Sequence, residues 1–293
     1  MIPSPTSQLL VLIILLCSFT GGDKDEESAK YVSRSDITLL IKEDLEAGVD
    51  IHLPEGHFYI SETIIAENYS GTVSGAGKGR TIIEAAQGFK ALPDPYFGQV
   101  GTELTAMFEL YWCAGDVTFK NLTFLVTGEA PSESHNNPFV GTTTTIDNII
   151  VVGECLYGPI TVTYKNLQIK GASSNDAGSS QRQNLLWPLI ALGINSEFPI
   201  NLIMENCEIE NCGKVALEFW HAHGGIGEIN NNVFSNCHLG VWLGPGMAES
   251  EVNVKNNAFS NISTDAISNN FGCSGCFMNN TLDGEPMADD CSN

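Results

Sequence analysis

Short stretches of alternating apolar and polar residues recur along the chain, each beside an asparagine. Residues 230–238 read NNNVFSNCH and residues 255–263 read KNNAFSNIS, so nearly the same phrase returns after 25 residues. The intervals between such asparagines are 45, 40, 25, 25 and 23 residues, and the two long ones contain Gly-, Ser- and Thr-rich insertions after Thr127 and Gly171. A period in this range indicates a repeat architecture. The asparagines in the recurring slot are Asn121, Asn166, Asn206, Asn231, Asn256 and Asn279.

Each turn contains three short β-like runs: one before the asparagine, one directly after it and one farther on. In the turn of Asn206 they are NLIME, CEIE and VALEFW. Strands this short cannot bury a face alone, so they must stack on the next turn. The sequence therefore predicts an all-β fold, a single parallel β-helix over residues 36–293 with three short strands per turn. Before it, LLIKEDLEAG has helical spacing and ends at Gly48, which predicts a short N-terminal capping helix.

Stacking gives the recurring asparagines a role. Neighbouring turns lie about 4.7–4.9 Å apart, so one carboxamide can donate to the copy above it and accept from the copy below. We therefore predict an asparagine ladder through all six positions, with Asn211, Asn236 and Asn261 forming a second one. An isolated asparagine would more often be a turn residue.

The same alignment places the cysteines. Cys212 and Cys237 share a slot in neighbouring turns, as do Cys113 and Cys155, and one turn is within the usual Cα range of a disulfide. We predict both bonds; the alternative is a ladder of interior thiols. Four cysteines remain with three pairings open among them: Cys207, Cys273, Cys276 and Cys291. A CxxC sequence such as CSGC occurs at redox and metal sites, but no second CxxC accompanies it here. We therefore favour a disulfide that holds the C-terminus in place.

The segments AGVDIHLPEGHFYIS and GAGKGRTIIEA resemble the N-terminal part of right-handed parallel β-helix proteins of the pectate lyase superfamily. The resemblance covers about residues 36–285 and implies a right-handed winding. It implies little about function, because this fold carries lyases, hydrolases, isomerases, adhesins and non-catalytic proteins. Of the motifs of polygalacturonase-type hydrolases, STDAIS around Asp265 echoes one, and the face after the ladder lacks the arginine base of pectate lyases. No catalytic set is carried over.

Alternation in the strand after the asparagine assigns an inward column, which contains Phe124, Ile169, Ile209, Phe234 and Phe259. The neighbours of these residues point outward, which brings together Lys170, Glu208 and Glu210 on one face. A base and a carboxylate at that spacing could abstract a proton or protonate a glycosidic oxygen. The alternative is an exposed ion pair between turns, which contributes little to stability.

The third strand supplies an outward aromatic set, with Leu217, Phe219, Val241 and Leu243 facing inward. Tyr111, Glu218, Trp220 and Trp242 then form a candidate ligand-binding column, because exposed indoles suit stacking on sugar rings. A loop covering the tryptophans would explain them equally well. His221 and His223 form an H-x-H pair with Glu218 as the nearest further ligand, which is too few for a metal site.

The ends and the charge indicate the compartment. Leu9–Leu16 is an apolar run of signal-peptide length, so we expect an export signal in residues 1–20 and an acidic tether in residues 21–35. Cys17 closes the run, where a bacterial lipoprotein carries its lipid; the alternative is an ordinary cysteine of the signal. The net charge of −22 argues against nucleic acid and anionic lipid as partners, and against polyanionic glycans unless a cation such as calcium bridges them. The charge could also serve solubility alone.

Three functions fit these observations. The first is a secreted or bacterial cell-surface protein, expected as a monomer, that binds a polysaccharide or cell-surface glycan without catalysis. The second is a diverged polysaccharide lyase or glycoside hydrolase that uses Lys170, Glu208 and Glu210. The third is a structural or adhesive spacer whose loops contact other proteins.

Overall fold

The computed structural model describes residues 30–90, 92, 106–126, 148–155, 157–171, 188–193 and 196–292. The predicted export signal with Cys17 and residues 21–29 of the predicted tether lie outside these residues, as do the insertions after Thr127 and Gly171 for the most part. In the part of the chain that is described, no helix is long and apolar enough to traverse a bilayer.

One sheet contains the strands that precede the six recurring asparagines, which lie at corners of the turns. Neighbouring strands in it follow one another in chain order, and all pairs up to β20 are parallel. The last strand, β23, pairs with β20 in antiparallel fashion. The nine strands, in spatial order, are β1 (Ile51–His52), β4 (Gly71–Ser74), β7 (Val117–Lys120), β10 (Ile160–Lys165), β13 (Ile200–Glu205), β15 (Ile226–Asn230), β17 (Glu251–Lys255), β20 (Gly275–Met278) and β23 (Asp290–Ser292).

A fourteen-stranded sheet forms the rest of the wall. The strands after the corners are β2 (Gly56–Glu62), β5 (Thr81–Lys90), β8 (Thr123–Leu125), β11 (Gln168–Lys170), β18 (Ala258–Ser260), β21 (Thr281–Leu282) and the antiparallel β22 (Glu285–Pro286). The strands farther on are β3 (Ile64–Glu67), β6 (Ala106–Cys113), β9 (Asn148–Cys155), β12 (Leu189–Leu192) and β19 (Ile267–Ser268). Strands β14 (Glu208–Trp220) and β16 (Val233–Leu243) belong to both groups and join them. Parallel sheets that curl in this way are those of a parallel β-helix.

The two joined strands are longer than the pattern predicts. The sequence suggests separate runs in the turns of Asn206 and Asn231, whereas β14 and β16 continue through the second corner as 13 and 11 residues. Their mutual register shifts between Cys212 and Val215. The corner is made there by Asn211 and Asn236 with φ of 62° and 53°, so a single left-handed residue bends the strand without ending its pairing.

The predicted N-terminal helix is present as α1 (Thr38–Glu46). It packs on β2 and β3 in the first turn, and its apolar face, with Ile41 and Leu45, is buried. Gly48 follows with φ of +68°, and its N–H donates to the carbonyl of Leu45 at 3.0 Å. This is the left-handed C-terminal cap that a glycine favours.

The interior is filled by residues from equivalent positions in successive turns. The inward column predicted after the corners is in register and buried throughout, from Phe124 to Phe259. At its C-terminal end the rings of Phe234 and Phe259 stack with centroids 5.0 Å apart. Period-two alternation therefore assigned the faces of this strand correctly.

The six predicted ladder asparagines have a different principal role, because all of them are left-handed corner residues, with φ between 54° and 60°. A short amide side chain tolerates this conformation better than most residues do. An amide-to-amide bond joins Asn166 Nδ2 to Asn121 Oδ1 at 2.7 Å. No bond of that kind links Asn206, Asn231 and Asn256 in the described structure.

In the C-terminal turns the buried amide ladder lies one residue later. Asn232 Nδ2 donates to Asn257 Oδ1 at 3.0 Å, and Asn257 Nδ2 donates to Asn280 Oδ1 at 3.1 Å. Each of these oxygens also accepts from a backbone N–H at 2.9 Å. The second predicted set is also connected, with Asn236 donating to Asn211 at 3.2 Å and Asn261 donating to Asn236 at 2.7 Å.

The predicted disulfides are not formed in the structure, although both cysteine pairs are in register. Cys113 pairs with Cys155 and Cys212 pairs with Cys237 along the strands, and all four are buried thiols. Side chains stacked in register keep their Cβ atoms about 4.8 Å apart, which exceeds the mean Cβ separation of about 3.8 Å in a disulfide. The bond that forms is Cys276–Cys291, which staples antiparallel β23 to β20 at the C-terminus.

Candidate functional site

The first candidate surface is the outer face of the strands after the corners. Gln168 pairs with Glu208 and Lys170 pairs with Glu210 in register, so the predicted set does lie together. A groove of about 150 Å³ opens beside it and is lined by Gln168, Ile169, Glu208, Ile209, Glu210, Val233 and Ser235. The geometry brings these side chains together, but their hydrogen-bond and ion-pair partners determine their charge state and hence their chemistry.

Glu208 has a partner that sequence reasoning missed. Lys78 Nζ contacts Glu208 Oε1 at 2.6 Å and also donates to the carbonyl of Asn206 at 3.1 Å. Gln168 Nε2 donates to the other carboxylate oxygen at 3.0 Å. The hydrogen bond from Lys78 is the largest cause that holds the pKa of Glu208 below its ordinary value. Glu208 is therefore ionised at neutral pH, which is the wrong state for protonating a glycosidic oxygen.

Lys78 reaches Glu208 from the loop of residues 75–80, which lies over the first corner. Gly77 N–H donates to the carbonyl of Asn121, and Gly79 N–H donates to Thr123 Oγ1 at 2.8 Å. The loop thus lies along the outer face and brings its lysine to Glu208, one of the residues that line the groove. Lys78 and Glu208 are 130 residues apart in the chain, so no local pattern in the sequence indicates the pair.

The second candidate surface is the outer face of the third group of strands. The column runs from Tyr111 through Gly153 and Leu192 to Trp220. Tyr111 is 0% exposed, so its predicted role in binding is not supported by its placement. Together with Val151, Leu192 and their neighbours it forms a second apolar cluster, outside the central core. Sequence alternation gives the direction of a side chain but not what covers it.

Toward the C-terminus the same face carries a row of aromatic rings. Trp220 and Trp242 have centroids 6.3 Å apart, and Trp242 meets Phe271 edge-on at 6.3 Å. His221 lies 5.3 Å from Trp220 and 6.2 Å from His223. We call these five residues the aromatic strip. The tryptophans are half-buried and Phe271 is 43% exposed. Phe271 escaped the sequence reasoning because it lies in the loop after β19, outside the strand pattern.

Glycines and a short turn hold the strip in place. A Cβ on Gly244 would lie 2.7 Å from the Cβ of Trp220, and one on Gly246 would lie 2.4 Å from His221 Nδ1. His221 N–H donates to the carbonyl of Pro245 at 2.7 Å, and His223 Nε2 contacts the carbonyl of Gly193 at 2.5 Å. Burial, and then the neighbouring His223, lower the pKa of His221, so its imidazole is neutral at pH 7.

Glu218 lies on the same outward face, paired in register with Trp242 on one side and Ile190 on the other. It is 2% exposed. Burial raises its pKa to about 8, against the opposing influence of Lys214. Its carboxyl is therefore mostly protonated at neutral pH. In the described ranges, no three His, Cys, Asp or Glu side chains converge as metal ligands would.

Comparison with known proteins identifies no family. No family model matches the chain, and no curated protein matches it. Among solved structures, the catalytic domain of a GH87 alpha-1,3-glucanase in complex with nigerose is similar, with a TM-score of 0.49 and 14% sequence identity. The match covers 86% of this chain and 44% of that chain, so this protein spans less than half the length of the glucanase domain.

Proposed function

We propose that the protein binds a glycan at the aromatic strip and does not catalyse a reaction on it. The observation that carries the proposal is the row of rings from His223 to Phe271, which crosses the turns of β14, β16 and β19 and ends in an exposed phenylalanine. Aromatic faces at neighbouring positions suit stacking on successive sugar rings. A row of aromatic rings that reaches the protein surface is typical of an interaction surface.

The setting that we propose is extracellular. Residues 1–20 would direct export, with Cys17 as a candidate site of acylation, and the strongly acidic chain would stay soluble and monomeric at the cell surface. For the scaffold we propose a right-handed winding with three short strands per turn and asparagines stacked at its corners or one residue after them. The strand order and the amide hydrogen bonds support the stacking of the turns, and the right-handed sense rests on the resemblance of the sequence to right-handed parallel β-helix proteins.

The test is glycan retention by variants of the strip. Phe271→Ala and the double variant Trp220→Ala/Trp242→Ala should each lose about tenfold or more in affinity for a retained polysaccharide, or about 1.4 kcal/mol. Tyr157→Ala is the matched control, because that ring is 73% exposed and lies outside the strip. Circular dichroism and urea unfolding check the fold of each variant. Equal retention by all variants would remove the strip from the binding site.

The groove beside Glu208 and Glu210 supports a second candidate, a lyase or hydrolase activity. The ion pair of Glu208 with Lys78 counts against it. A panel of neutral and acidic polysaccharides, incubated with and without calcium, would reveal unsaturated products by ultraviolet absorbance or new reducing ends. Product that disappears in Glu210→Gln would establish the enzyme and overturn the non-catalytic proposal.

A further inference from the structure

An almost fully buried carboxyl group lies beside the tryptophans of the aromatic strip. Glu218 is 2% exposed, is flanked in register by Ile190 and Trp242, and is followed two residues later by Trp220. Burial and the charge of Lys214 are the main influences on its carboxyl group. Burial keeps this carboxyl in its protonated form at neutral pH, so it can both donate and accept one hydrogen bond.

The neighbouring indole carries a buried donor, Trp220 Nε1, that has no partner among the described residues. An unsatisfied buried donor costs about 1–3 kcal/mol, and a fold tolerates such groups more readily where a ligand satisfies them. Trp220 and Glu218 are two residues apart on the same outward face of β14. Together they offer two donors and one acceptor, which matches the bonding capacity of sugar hydroxyl groups.

The charge around the strip disfavours an anionic ligand. Residues 215–293 contain nine acidic side chains and one basic side chain, Lys255. Lys255 belongs to β17, in the other sheet. Lys214 of β14 acts on the Glu218 carboxyl, but the charged side chains that follow it in the chain are mostly acidic. A sugar carboxylate on the strip would therefore meet little counter-charge, and removing its water would be costly.

Building on the glycan-binding function proposed above, we propose that the aromatic strip takes neutral sugars and rejects uronates, and that Glu218 sets this preference by hydrogen bonding a sugar hydroxyl group. The rings supply stacking that any pyranose can use. Glu218 and Trp220 supply the polar contacts that a hydroxyl group satisfies. Glu218 is a positioning and specificity residue in this account, and no bond is made or broken.

Calorimetry of the full chain tests the proposal with neutral glucose hexasaccharides of α and β linkage and with hexagalacturonate. The wild type should prefer a neutral ligand by about tenfold or more. Glu218→Gln keeps a neutral donor and acceptor and should retain that affinity within about twofold, whereas Glu218→Leu should lose about tenfold. The leucine variant should fold, because it replaces an almost fully buried polar group with an apolar one of similar size.

A pH series adds a readout that a purely structural role would not change. Raising the pH from about 6 to about 9 should weaken neutral-sugar binding by the wild type and leave Glu218→Gln unaffected. The nearest titratable groups on the strand of Glu218 are Lys214 and Cys212, with Glu208 and Glu210 farther along it, while β12 and β16 present Ile190 and Trp242 to it.

The outcomes separate the two proposals. Equal or tighter binding of hexagalacturonate, or full affinity in Glu218→Leu, would overturn the neutral-sugar inference and leave glycan binding intact. Failure of every neutral and acidic ligand, in a polysaccharide panel as well, would overturn the proposed function itself.

Discussion

Replacing Glu218 by glutamine should change how stability depends on pH. The free energy of unfolding of Glu218→Gln, minus that of the wild type, should be larger at pH 7 to 8 than at pH 5. The substitution keeps the shape of the side chain and removes its titration. Glu218 is almost fully buried, and its pKa is raised from an ordinary 4.5 to about 8 in the folded protein. The unfolded chain returns this carboxyl to water, where its pKa is ordinary.

The size of the effect follows from that difference in pKa. Below pH 4.5 the carboxyl is protonated in both states, so its contribution to folding stability is fully present. Between pH 4.5 and 8 the unfolded chain loses the proton and the folded chain keeps it, so the free energy of unfolding falls by about 1.4 kcal/mol per pH unit. Above pH 8 both states are ionised and the loss is complete. Over the 3.5 units between the two pKa values the loss is about 5 kcal/mol at most.

The assay is urea unfolding of the wild type and Glu218→Gln at several pH values from 5 to 8, followed by tryptophan fluorescence. The difference between the two proteins isolates Glu218, because all other titrating groups are shared. Glu249→Gln is the control, since that side chain is exposed and its difference from the wild type should stay flat. Parallel curves for the wild type and Glu218→Gln would show that Glu218 is ionised in the fold, and the reasoning on its burial would fail.

Two further predictions concern the scaffold. Asn257→Ala should cost about 3 kcal/mol or more in urea unfolding, because it leaves several buried donors and acceptors of the amide ladder unpaired, whereas Asn256→Gly should cost little at its φ of 57°; equal losses would contradict the shifted ladder. Lys78→Ala should remove the partner of Glu208, raise the pKa of that carboxyl as followed by NMR, and cost about 0.2–1 kcal/mol. Lys170→Ala should change the pKa of Glu208 less, and an effect as large as that of Lys78→Ala would contradict the assigned pair.

Much of the fold was readable because a β-helix repeats its own rules. The 25-residue interval and the alternation around Phe234 and Phe259 follow from stacking and from the two-residue period of a strand. The ladder was displaced by one residue because the C-terminal turns carry two adjacent asparagines, such as Asn256 and Asn257. Sequence alone does not say which of them turns the corner and which stacks inside. That choice depends on the backbone angle φ of each residue. An asparagine adopts either the left-handed or the extended conformation at low cost, so its identity does not decide between them.

The candidate site was less predictable, for reasons that are not local. Lys78 meets Glu208 across 130 residues of chain, so the ion pair exists only once the turns are stacked. Tyr111 faces outward as its strand pattern requires and is nevertheless buried. Direction is encoded by the strand, whereas exposure depends on what packs over the sheet.

The outer face of the third group of strands therefore explains where a site can arise on this fold. Its backbone is equivalent from turn to turn, so no turn is favoured by the scaffold. Its side chains change along the axis, from the buried apolar Val151 and Ile190 to Glu218, Trp242 and the exposed Phe271. The N-terminal part of this face works as additional core. The C-terminal part combines aromatic surface with the buried carboxyl of Glu218 and with the indole N–H of Trp220, which has no partner among the described residues. A ligand that stacks and hydrogen bonds would satisfy both, which is why binding is assigned to the C-terminal turns and not to the groove beside Glu208, whose charge the protein already neutralises.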